Sequence, residues 1–141
     1  MYVIETNNCV SPNLCNLVLN GNFEEHSSLN TNSNTFDFIE KACNWSRVNL
    51  SGTPKYYNQD SNLFNGDVPC NFAGYETDNI SLNKGYVGLG FVKNSINTYL
   101  SETIKTKLSS NLLPNSNYQL SFDLSLAEST SISSTKIQAY L

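Results

Sequence analysis

The chain has 141 residues, 39% of them hydrophobic and 14% charged, with a net charge of −4. That length fits one domain with a real core, and eight Tyr, seven Phe and one Trp oppose disorder. The eight Lys and Arg are scattered along an acidic chain, which excludes the clustered basic face that nucleic acid requires. No apolar run approaches the roughly 18 residues of a membrane span. Met1-Tyr-Val-Ile-Glu5 lacks the basic start and apolar run of a secretory signal.

Residues 1–16 read as a polar segment carrying Cys9 and Cys15. Leu17-Val-Leu-Asn-Gly-Asn-Phe23 predicts a short apolar strand ending in an Asn-Gly turn, with Glu24 and Glu25 behind it. A Ser/Asn/Thr loop follows from Ser27 to Thr35, and Phe36 to Ala42 suits either a strand or a helical turn. Trp45 to Val48 is a second ordered region. Within Gly52-Thr-Pro-Lys-Tyr-Tyr-Asn58, neighbouring strand residues face opposite ways, so at most one of Tyr56 and Tyr57 points into the core. A loop then leads to Cys70-Asn-Phe-Ala-Gly-Tyr75.

Gly85 to Val92 predicts a strand with Val87, Leu89 and Phe91 on one face. Tyr86, Gly88 and Gly90 take the other, where two glycines leave room for a backbone or a ligand. Tyr99 to Leu108 continues as a strand with Leu100 and Ile104 inward, and Leu112 to Asn115 is a turn. The strongest signal is Tyr118 to Leu126. Tyr118, Leu120, Phe122, Leu124 and Leu126 share one face and polar residues the other, as a sheet with one dry side requires. Lys136 to Leu141 reads as a further strand, with Ile137, Ala139 and Leu141 alternating. Leaving it as an open edge would be a liability, so the chain is expected to be an excerpt of a longer exported protein. Closely spaced strands, turn residues between them and no long helix predict an all-β antiparallel sandwich. It forms one domain over 1–141, the sandwich proper spanning 17–141.

His26 is the only histidine and sits beside the Asn/Ser loop, either as a base for nucleophilic catalysis or as a solvated loop residue. Glu24, Glu25, Asp37, Glu40, Asp60 and Asp67 show no spacing that marks a hydrolytic pair. No enzyme is expected. Cys9, Cys15, Cys43 and Cys70 lack paired metal-ligand spacing. Cys9–Cys15 with Cys43–Cys70 is the preferred disulfide pairing, and free buried thiols are the alternative. Trp45 is expected in the core. Tyr56, Tyr57, Tyr75, Tyr86 and Tyr99 are rings from which a sugar platform could be made, with Asn58 and Asn71 supplying amides that bond hydroxyls in both directions. The carbohydrate-binding candidates are Tyr56, Tyr57, Asn58, Asn71 and Tyr75, against a purely structural role for the same residues.

Asn16-Leu-Val-Leu-Asn-Gly-Asn-Phe-Glu24, followed by Trp45, resembles the opening of galactose-binding-like jelly-roll domains, among them carbohydrate-binding modules and plant cell-wall domains. Gly52 to Asn58, Val68-Pro-Cys-Asn-Phe-Ala-Gly-Tyr75, Gly85-Tyr-Val-Gly-Leu89 and Tyr118 to Ala127, in that order, are similar to a domain of cell-surface and secreted proteins of Bacteroidetes. Such domains are often joined to gliding-motility-type sorting or OmpA-like segments. Lys55 departs from the pattern, which has an acidic residue there, and Leu141 falls before the closing strands. The resemblance implies a jelly-roll sandwich in an extracellular or cell-surface setting. It also implies a non-catalytic binding or adhesion module with a glycan or a cell-surface protein as partner; a spacer or protein-interaction domain is the alternative. For Glu24 it implies a structural calcium, held with backbone carbonyls.

Overall fold

The structure, a computed structural model, describes residues 2–5, 16–29, 36–49, 52–61, 68, 70–71, 73–75, 84–93, 99–130 and 137–141. Among these, ten short strands pair into five two-stranded antiparallel ladders. β1 (Tyr2–Glu5) pairs with β10 (Tyr118–Ser121), and β2 (Trp45–Arg47) with β9 (Ile104–Thr106). β3 (Lys55–Asn58) pairs with β6 (Gly85–Gly88). β4 (Cys70–Asn71) pairs with β5 (Gly74–Tyr75), and β7 (Phe91–Lys93) with β8 (Tyr99–Ser101). The one helical segment among the described residues is a 3-10 helix over Ile39–Lys41. The protein is therefore all-β, as the alternating pattern predicts.

The core gathers Val18, Ile39, Ala42, Trp45 and Tyr56, with Phe23, Val87, Ile104, Leu108, Tyr118 and Leu120 packed against them. Contributions from β2, β3, β6, β9 and β10 thus converge on one apolar centre, as burial of each strand's dry face requires. Trp45 lies in this core, 5% exposed.

Several elements are shorter than the sequence predicts, and side-chain hydrogen bonds account for much of the difference. The segment Leu17–Phe23 forms a single bridge, Val18 to Leu108, in place of a strand. Asn16 Oδ1 accepts from Val18 N at 3.0 Å, and the left-handed backbone at Asn20 (φ 48°) and Phe23 (φ 60°) turns the chain away from any ladder. Residues 36–42 resolve in favour of the helical turn. The predicted strands at 85–92 and 99–108 each split in two. Glu102 lies at the second break; its Oε2 accepts from Gly90 N at 2.7 Å and its Oε1 from Thr53 N at 2.5 Å. One carboxylate thereby ties three segments together.

The long alternation from Tyr118 pairs only as far as Ser121. Tyr118 and Leu120 pack on the core, but Leu124 and Leu126 are 65% and 58% exposed. The dry face predicted for them is not formed. The strand predicted at the end of the chain is also absent from residues 137–141, where Ile137, Tyr140 and Leu141 are exposed. Conversely, the segment read as polar over residues 1–16 supplies β1, the partner of β10. Cys43 carries a free thiol, which corrects the expected Cys43–Cys70 disulfide. Its backbone is held in a turn, N–H to the Glu25 carbonyl and C=O to the Asn20 amide. Cys9 and Cys15 lie outside the described residues.

Candidate functional site

Strand β3 organises the candidate residues, because its alternation sends Tyr56 and Asn58 to one face and Tyr57 to the other. Both faces turn out to be covered. Tyr56, Tyr57 and Asn58 are 1%, 2% and 1% exposed; of the two tyrosines only Tyr56 joins the core cluster, and Tyr57 is buried on the opposite face.

On the first face the Tyr56 hydroxyl donates to the Phe23 carbonyl at 2.7 Å and accepts from Asn58 Nδ2 at 2.7 Å. Asn58 Oδ1 accepts in turn from Asp60 N at 2.8 Å. Phe23 lies against Trp45, ring centroids 4.8 Å apart, and the indole N–H donates to the Asn20 carbonyl at 2.9 Å. Asn20 itself bonds Glu25 N, Glu25 O and Cys43 O. The Asn-Gly-Asn-Phe-Glu turn is thus clamped to β3 and to the segment before β2. Every buried polar group in this cluster has a partner, as native interiors require.

On the second face Tyr57 stacks on its cross-strand partner Tyr86, centroids 4.9 Å apart and planes 25° from parallel. Asn71 Nδ2, from β4, donates to the Tyr86 hydroxyl. The room expected beside Gly88 is filled by Tyr57 itself, since a Cβ at Gly88 would lie 2.8 Å from that ring. Tyr86 and Asn71 are only half-buried. Tyr57, Asn71 and Tyr86 therefore form one cluster, while Tyr56 and Asn58 belong to another. The side chains of Tyr75 and Tyr99 lie outside the described residues.

Buried rings do not offer a face to a sugar, so Tyr56 and Tyr57 cannot serve as the stacking surface in this conformation. Burial also pushes both phenols well above the usual tyrosine range; the Asn58 hydrogen bond pulls Tyr56 the other way without reversing the shift. Folded phenols that hold their protons more tightly than unfolded ones stabilise the protein fully below about pH 10 and lose that contribution as pH rises further. Alkaline denaturation is therefore expected to set in above about pH 10, and Tyr57→Phe should make the pH dependence shallower. Unfolding midpoints measured across that range check this; an unchanged slope in Tyr57→Phe would contradict the burial argument.

Glu24 tests the expected calcium site. Its Oε1 accepts from Lys84 N at 2.7 Å and Gly85 N at 3.2 Å, while the neighbouring Phe23 carbonyl accepts the Tyr56 hydroxyl. N–H and O–H donors converge where a calcium ion needs six to eight oxygens. Among the described residues no three acidic, His or Cys side chains form a metal-binding group. Through Oε1, Glu24 anchors the Asn-Gly turn to the start of β6.

His26 is less solvated than expected: its Nε2 lies 3.4 Å from Asp60 Oδ2 and its Nδ1 2.8 Å from the Ser27 carbonyl. Lys55 places its Nζ 4.7 Å and 4.3 Å from the ring centroids of Phe36 and Phe38. Burial there holds its pKa below the ordinary lysine value. Sequence reasoning missed Glu102, whose role rests on contacts to segments distant in the chain. None of the described helices is long and apolar enough to cross a membrane. Comparison with protein families, with curated proteins and with solved structures returned no match.

Proposed function

We propose that the chain is a non-catalytic binding module of jelly-roll type, carried by a cell-surface or secreted protein, with a glycan as its ligand. The observation that supports a glycan is the pairing of Tyr86 and Asn71. A half-buried ring, backed by Tyr57, shares a patch with a half-buried carboxamide. Aromatic area beside an amide is the chemistry that covers a pyranose face and bonds its hydroxyls.

A second reading, a structural spacer or protein-interaction domain, is favoured by a different observation. Tyr56, Tyr57 and Asn58, offered by the sequence as a platform, are spent on packing. A screen of neutral glycans decides between the two. The glycan reading expects a hit that is lost in Tyr86→Ala and weakened in Asn71→Ala while the fold persists. Silence across the screen from a folded sample would favour the spacer.

A further inference from the structure

A different ladder carries the most promising unassigned feature. Beside β2 and β9 lies an open groove of about 380 Å³, lined by Leu19, Asn44, Ser46, Lys105, Thr106 and Lys107. That volume is within the range of small-ligand sites. Its lining is unusual for this chain: two cations and no acid, in a molecule of net charge −4.

Lys105 lies in β9 and Lys107 follows just past its end, and both line the groove. Ser46 of β2 stands directly opposite Lys105 in the ladder. Both lysines are exposed, and no ion pair among the described residues engages either one. Asn44 reaches this end of the ladder from a turn with left-handed backbone, φ 71°.

We propose that this groove binds an acidic glycan, one bearing carboxylate or sulfate groups. The two ammonium groups meet the anions, and the side chains of Asn44 and Ser46 provide donors and acceptors for sugar hydroxyls. Leu19 offers the small apolar surface that ring C–H groups cover. A nucleic acid is disfavoured, because two lysines neutralise few phosphates and the remaining field of the protein is negative. The neutral hydrogen-bonding lining favours a hydroxyl-rich ligand over an acidic peptide. The site uses none of the residues of the Tyr86–Asn71 patch, so it stands independently of the function proposed above.

The test is calorimetric titration of the purified chain with an oligogalacturonate and a sulfated galacto-oligosaccharide, each beside an uncharged galacto-oligosaccharide of equal length. The expected result is binding of at least one charged probe, weakened by salt and absent for the neutral sugar. Lys105→Gln with Lys107→Gln should weaken it at least tenfold without moving the melting temperature, and the double Arg variant should restore it. Tyr86→Ala should leave it unchanged. No binding of either charged probe at low salt would overturn the proposal, as would full binding by the double Gln variant. Equal binding of a polyglutamate peptide would overturn it too, assigning the groove to acidic protein segments.

Discussion

Gly85→Ala is expected to lower the melting temperature by on the order of 10 °C, and Gly85→Val to prevent folding. A Cβ at Gly85 would lie 2.3 Å from the Phe23 carbonyl oxygen, 2.9 Å from Asn58 Nδ2 and 3.1 Å from the Tyr56 hydroxyl. None of these atoms can retreat cheaply. Phe23 O is held by the Tyr56 hydroxyl, and Phe23 N donates to Asn20 O at 3.1 Å. Asn58 is buried and bonded through both ends of its amide. Overpacking of this kind costs about 1–3 kcal/mol and more where backbone must move, a large part of a domain stability of roughly 5–15 kcal/mol. Gly90→Ala is the control, because its Cβ would meet Glu102 at an ordinary 3.4 Å. Equal melting temperatures for the two alanine variants would refute the close approach of the Asn-Gly turn to β6.

The second large effect is expected at Tyr56. Tyr56→Phe keeps the ring but removes the hydroxyl that joins Phe23 and Asn58. Two buried polar groups then lose a partner, at about 1–3 kcal/mol for each group left unsatisfied. Tyr56→Ala adds a cavity beside Trp45 and Ile39, and aromatic truncations of this kind cost about 3–5 kcal/mol. Denaturant unfolding measures both, and a double-mutant cycle of Tyr56→Phe with Asn58→Ala isolates the pair. Strict additivity would show that the hydroxyl–amide contact carries no energy, and the clamp around the Asn-Gly turn would lose its centre.

At these two positions the residue types are legible in the sequence, and what packs over them is not. Two adjacent tyrosines beside an asparagine announce a strand with aromatic payload, and β3 is that strand. Whether such rings face solvent depends on what packs over each side. Here Phe23 and Trp45 lie on one side and Tyr86 with Gly88 along the other, from separate segments of the chain. The same limit applies to Glu24: Asn-Gly-Asn-Phe-Glu signals a turn, but only the fold brings the Lys84 and Gly85 amides to its Oε1.

By itself the sequence determined the strand-forming character of the chain, the Asn20 turn, the place of Trp45 in the core and the period-2 segment at Tyr118. Those are local properties, set by side-chain alternation and by residues that bond their own backbone. Tertiary structure alone decided strand length, the free thiol of Cys43, the pairing of the first segment with β10 and the exposure of Leu124 and Leu126. Each of these depends on which distant backbone comes within hydrogen-bonding or packing distance, and alternation carries no record of the partner. The groove beside β9 lies between the two cases. Lys105 and Lys107 are neighbouring cations in the sequence, and only the fold brings Ser46, Asn44 and Leu19 beside them.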